Sequence, residues 1–138
     1  MTADTQISKQ DDADYLYKEL TEKLIGAAFK VYNTLGYSFR EKEYQRAYTS
    51  ELEKLFLKFQ KELYCNLKYD KKIISKFYID FLVEAKVVVE LKVAEEFYKK
   101  CFDQVMVYLK DNKLQVGLLI IFTSKKVLVK RIINQKSA

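Results

Sequence analysis

A chain of 138 residues, 49% hydrophobic and 32% charged, has the make-up of one soluble domain with a core of its own. It contains no histidine, two cysteines and three glycines. That composition excludes Ser-His and Cys-His nucleophiles, histidine acid-base catalysis, histidine- or four-thiolate zinc, and a glycine-rich phosphate loop, while the net charge of +6 favours a polyanionic partner.

Residues 1–14 are polar and acidic (Asp4, Asp11, Asp12, Asp14) without periodicity, and read as a disordered tail before a single domain over 15–138. From Tyr15, the spacing of Leu16, Leu20, Leu24, Ala27, Ala28, Val31 and Leu35 predicts a helix stopped at Gly36. A second helix is predicted over about 41–59, with Tyr44, Ala47, Tyr48, Leu52, Leu55, Phe56 and Phe59 inward. The pattern then switches to strands at 61–67, 73–83 and 87–93, joined by turns at 69–72 and 84–86. Helical spacing returns over 95–112, with Phe97, Cys101, Val105, Tyr108 and Leu109 on one side. The continuous apolar run 116–122 reads as a strand buried on both faces, and 125–133 as a last strand. The order α-α-β-β-β-α-β-β describes an α/β domain, a mixed sheet flanked by helices.

No apolar run approaches the roughly 20 residues that span a bilayer, and Met1–Thr5 lacks the basic start of a signal peptide, so the cytoplasm is the expected location and no membrane is expected. Cys65 and Cys101 lie far apart and read as buried free thiols. The basic residues group as Lys68, Lys71, Lys72 and Lys76, then Lys125, Lys126, Lys130 and Arg131, the candidate nucleic-acid contacts, although by charge alone they read equally as a lysine-rich solvated surface. Eleven tyrosines and nine phenylalanines exceed what a core of this size must bury, which points to an interface or homo-oligomer.

The segment richest in chemistry is 79–92. Glu90 and Lys92 are two apart on a strand otherwise made of Val87, Val88, Val89 and Leu91, so they rise from one face. Asp80 can return beside them through a hairpin. Two carboxylates and a lysine converging on one point suit metal-dependent phosphodiester cleavage. Asp80 and Glu90 are the candidate ligands, with the Leu91 backbone carbonyl as a third, and Lys92 would orient the attacking water. With no histidine, the ion must sit among oxygen atoms, hence Mg²⁺ or Mn²⁺. Glu41 would supply a further acid, and Gln104 and Tyr108, four apart on one helix face, would support the site. Simpler readings stand beside these: a solvated Glu-x-Lys face, Asp80 as a turn residue, Tyr108 in the core, and Glu41 favouring the helix dipole.

Asp80-x9-Glu90-Leu91-Lys92 resembles the PD-(D/E)XK nuclease signature, and Gln104-x3-Tyr108 is similar to the Q-x3-Y motif of RecB-type members. Residues 20–133 resemble the small GxxExxY proteins through 24–31, Leu35-Gly36, Glu41-x-x-Tyr44, 87–92, Gln104-x-x-x-Tyr108 and 116–122. The glycine of that motif falls at Ser38. The resemblance implies a restriction-endonuclease-like fold and a nuclease acting on nucleic acid, DNA first. The rival readings are a non-catalytic nucleic-acid-binding module and a protein-interaction domain on the same fold.

Overall fold

The computed structural model describes residues 16–135. The acidic segment 1–14 lies outside the described residues. The elements follow the expected order: α1 Lys18–Leu35, α2 Glu41–Lys54, β1 Phe59–Tyr69, β2 Lys72–Val83, β3 Val87–Val93, α3 Lys99–Asp111, β4 Val116–Phe122 and β5 Val127–Ile133.

Helix α1 buries the stripe Leu24, Ala27, Ala28 and Val31. It stops at Gly36, which takes φ +71° and donates its N–H to the Tyr32 carbonyl at 2.7 Å. Helix α2 buries Tyr44, Tyr48 and Leu52, spaced by four, and ends five residues short of the expected 59. The Leu57 N–H turns back to the Leu52 carbonyl at 3.1 Å, with Phe56 at φ +58°. Phe56, expected inward, is 92% exposed, Leu55 is exposed too, and Phe59 opens β1 instead. Helix α3 starts at Lys99, later than the expected 95, because Glu95 is taken up by the next loop: its carboxylate accepts from the Ser124 N–H and hydroxyl at 3.0 and 2.7 Å. Phe97, expected inward, is exposed.

The five strands lie in sequence order, antiparallel except for β3 and β4, which run parallel across the α3 crossover. Helices α1 and α2 pack on one face over Phe81, Val83, Val87, Val89, Leu91, Leu118, Ile120 and Phe122. Helix α3 packs on the other over Ile79, Val88, Leu119, Ile121 and Ile132. Every residue of β4 is buried, as its unbroken apolar run predicts. Helix α3 comes so close that a Cβ added at Gly117 would stand 2.9 Å from Val105 Cγ1. Cys65 and Cys101 are free and buried.

The hairpin β1–β2 positions the site. It turns tightly at Asp70 and Lys71, both at positive φ. Strand β2 pairs with β3 through only three positions, ending at Phe81 opposite Val89. The rest of β2 continues with β1 as an overhanging two-stranded arm. At that point Glu62 adopts φ +55°, and the Glu62–Asp80 pair drops out of the β1–β2 ladder without a change of register. No described helix is long and apolar enough to cross a membrane.

Candidate active site where two strands part

Where β2 leaves β3, two backbone N–H groups lose their strand partners, and carboxylates take their place. The Asp80 N–H donates to Glu90 Oε1 at 2.9 Å, and the Leu91 N–H donates to Asp80 Oδ2 at 2.8 Å. The two acids are thus cross-tied through each other's strand. Gln45 Nε2 of α2 donates to Asp80 Oδ1 at 2.9 Å and fixes its other oxygen. Glu90 is 3% exposed. Its Oε2 lies 3.3 Å from Lys92 Nζ, which also stands 3.8 Å from Glu41 Oε1. Glu41 Oε2 accepts the Val93 N–H at 3.2 Å. Asp80, Glu90, Lys92 and Glu41 are therefore one connected group, drawn from two strands and the first turn of α2.

The burial that tolerates these charges also strains them. Desolvation pushes the Asp80 carboxyl up to about 6, against the pull of the Leu91 N–H and Lys92. Desolvation and then the Asp80 charge push Glu90 up to about 8, against the pull of Lys92. For Lys92 burial works against the ammonium, but Glu90 and Glu41 more than offset it, and the group is held above its usual range. Both carboxyls therefore hold a proton more firmly than they would in water, and Glu90, the deeper of the two, does so the more.

The α2 start that delivers Glu41 is built tightly. Tyr44 is fully buried, stacks on Phe122 at 4.6 Å between ring centroids, and donates its hydroxyl to the Gly36 carbonyl at 2.6 Å. The Arg40 N–H donates to Glu43 Oε1 at 2.9 Å. Ser38, where the GxxExxY pattern has glycine, sits at φ +119°, a region that favours glycine.

Gln104 and Tyr108 stand apart from this group. Tyr108 is buried on the α3 face among Cys65, Ile79, Val105 and Leu109. Gln104 lines a separate groove with Leu67, Ser75, Phe77, Lys99 and Val107, against the inner side of the arm. On the α3 side Lys92 interacts electrostatically with Cys101 and with Tyr98, the residue just before the helix, whose hydroxyl meets the Cys101 thiol. No sequence signal marked them, since Cys101 fell within an apolar stripe. Sequence reasoning also missed Gln45 and a cleft of about 210 Å³ beside Asp80, lined by Lys42, Gln45, Arg46, Thr49, Lys61, Glu62 and Phe81. Lys42 and Arg46 lie one turn apart on α2, so the helix pattern held the signal, but only the fold brings Lys61 to them.

The basic groups divide. Lys68, Lys71, Lys72 and Lys76 are exposed on the overhanging arm. Lys125 and Lys126 are exposed in the β4–β5 turn, which Glu95 and Ser124 hold at the Lys92 end of the sheet. Lys130 lies over the Phe102 ring at 5.9 Å. Arg131 is engaged inside the fold: its guanidinium donates to Thr21 Oγ1 at 3.0 Å and to the Leu16 carbonyl, fastening α1 to β5.

A comparison of solved structures finds the one titled "Crystal structure of SSO0001" at TM-score 0.53 and 17% identity, covering 91% of this chain, a likeness of fold. This chain spans 65% of that protein's length. No curated protein matches. The family model described as the PD-(D/E)XK nuclease superfamily matches residues 18–132, from the first residue of α1 to within one residue of the end of β5. With all three helices and all but the last residue of the sheet inside that match, the chain belongs to the PD-(D/E)XK nuclease superfamily.

Proposed function

We propose that the chain is a divalent-metal-dependent nuclease acting on DNA. The observation that carries this is the buried, cross-tied pair Asp80–Glu90 with Lys92 at 3.3 Å. The donor set suits Mg²⁺ or Mn²⁺. It offers two carboxylates and the Leu91 carbonyl, which shares a strand edge with the N–H that reaches Asp80. The raised affinity of both carboxyls for a proton marks a site short of positive charge. Among the described residues no group of three or more His, Cys, Asp or Glu side chains gathers as a metal site, and Lys92 separates Glu41 from the pair. Water and phosphate oxygens would complete the coordination. When bound, the ion would polarise the phosphoryl oxygen and acidify a water.

The residues of the chain do the rest. Lys92, held protonated between Glu90 and Glu41, would orient the attacking water and stabilise charge developing on the phosphate. Glu41 fixes the lysine from the far side, and Gln45 fixes Asp80. Gln104 and Tyr108 act through the packing of α3 against the arm. The exposed lysines of the arm and of the β4–β5 turn, Lys68, Lys71, Lys72, Lys76, Lys125 and Lys126, would meet the phosphate backbone.

The test is cleavage of single- and double-stranded DNA with Mg²⁺ or Mn²⁺. Asp80→Ala and Lys92→Ala are each expected to lower the rate by about 100-fold or more. Equal rates in wild type and both variants would overturn the reading. One observation favours a second: Lys92 already balances both Glu90 and Glu41 within the protein. A non-catalytic nucleic-acid-binding module would bind DNA without metal, with salt sensitivity, and keep that binding in Glu90→Ala.

A further inference from the structure

Beyond the last pairing with β3, the arm exposes a continuous face that no helix covers. Ile79 and Leu63 turn toward α3, so Tyr78 on β2 and Tyr64 on β1 turn the other way, and Asp80, where the alternation breaks, is held on that same side by Gln45 of α2. That is the side of the Lys42–Arg46–Lys61 cleft. Tyr64 and Tyr78 are direct cross-strand partners, 49% and 60% exposed, with ring centroids 5.7 Å apart in an edge-to-face arrangement. The ring that offers its edge keeps both faces clear of its partner. Asn66 and Lys76 form the next pair on the same face, and Asn66 Nδ2 donates to the Tyr64 hydroxyl at 3.3 Å. Tyr78 stands two residues from Asp80, about 7 Å along the strand. A paired aromatic surface therefore lies one short step from the candidate metal ligand, with exposed cations on both sides.

We propose that the Tyr64–Tyr78 pair is a stacking platform for an unpaired base. The strand that enters the Asp80 cleft is then single-stranded nucleic acid, its phosphates against Lys42, Arg46, Lys61 and Lys76. The inference rests on reading that cleft as the substrate site. Charge complementarity selects this occupant: three cations, Lys42, Arg46 and Lys61, outnumber the two acids of the cleft, Glu62 and the candidate metal ligand Asp80, and Lys76 extends the positive charge along the arm. Stacking needs an exposed base face, which a duplex hides within its own base stack. A lysine-flanked tyrosine pair on a two-stranded arm supplies ring faces and phosphate partners together.

The experiment measures binding of a short fluorescein-labelled single-stranded DNA, and of its duplex, in EDTA, so that no cleavage intervenes. Single strand is expected to bind about tenfold or more tighter than duplex. Tyr78→Ala and Tyr64→Ala are each expected to weaken single-strand binding about 5- to 100-fold, while Tyr78→Phe, which keeps the ring, is expected to bind as wild type. Lys76→Ala is expected to lower the salt slope by about one unit. Both tyrosines are exposed, so thermal melting of the alanine variants serves as the check that they remain folded. Duplex bound as tightly as single strand, or alanine variants that bind as wild type, would overturn the platform. So would alanine variants that change the oligomeric state by light scattering while DNA affinity stays fixed, since the face would then hold a second copy of the chain. Failure of the two readings is separable. Cleavage lost in Asp80→Ala, with unchanged binding in the tyrosine variants, removes the platform and keeps the nuclease. Tyrosine-dependent binding by a wild-type protein that cuts nothing does the reverse.

Discussion

Strands β3 and β4 lie side by side, seven residues each, parallel and in register from Val87 opposite Val116 to Val93 opposite Phe122. Every residue of β4 is apolar or glycine, and all are buried. In β3 the same frame carries Glu90 opposite Leu119 and Lys92 opposite Ile121. What differs is the second neighbour. Strand β4 has β5 along its whole length, whereas β3 loses β2 after Val89. An edge that opens within a sheet frees backbone donors, and a buried carboxylate is tolerable only where such donors and a cation reach it. Charge on β3 is thus a consequence of the strands parting, and the parting makes the cleft.

The strongest way to break this comparison is to move the charge across. Leu119→Glu places a carboxylate where β4 has no spare donor, and we expect a loss of about 4 kcal/mol or more in urea unfolding, up to failure to fold. Glu90→Gln, the reverse change, keeps an acceptor for the Asp80 N–H and is expected to leave stability near neutral pH unchanged or about 1–2 kcal/mol higher, while removing metal-dependent cleavage. A large destabilisation in Glu90→Gln would show that the charge holds the strands together.

The pH dependence sharpens the same point. Asp80 and Glu90 both hold their protons more firmly in the fold than their ordinary values of 3.8 and 4.5. Between about 4.5 and about 8 the folded chain therefore binds more protons than the unfolded one, and stability falls as pH rises through that window. The melting temperature is expected to drop by about 5–10 °C from about pH 5 to about pH 8. The drop should flatten in Glu90→Gln, and Mg²⁺ should raise the melting temperature most at the alkaline end. A melting temperature that rises with pH would contradict the raised carboxyls.

Two smaller effects probe the two strands' surroundings. Gly117→Ala pushes a methyl to 2.9 Å from Val105 on the tightly covered β4, and should cost about 1–3 kcal/mol. Ser38→Gly relieves the left-handed backbone in the loop that brings Glu41 to β3, and should gain about 1 kcal/mol with cleavage retained. An unchanged or lowered midpoint in that variant would show that φ +119° carries no strain.

Much of this molecule was legible in its residues. The 3.6 period of α1, the unbroken apolar run of β4 and the stop at Gly36 are local signals, and the structure follows them. The conjunction Asp80-x9-Glu90-x-Lys92 was legible too, because a two-residue period and a tight turn at 84–86 suffice to bring those side chains together. Other features depended on distant contacts. Phe56 fits the apolar stripe of α2, yet the chain reverses to begin β1 and leaves it in solvent. Gln104 and Tyr108 share the four-residue spacing expected of a supporting pair, but the arm and the sheet set where each one points. Arg131 reads as one more surface cation until α1 folds over it. Gln45, Cys101 and the Lys42–Arg46–Lys61 cleft carry no motif at all. The sequence by itself determined the elements, their order and the acids and lysine at 80, 90 and 92, since periodicity and turns act within a few residues. Only the tertiary structure decided which side chains share their surroundings, because burial and backbone donors at the parted strands arise from segments tens of residues apart.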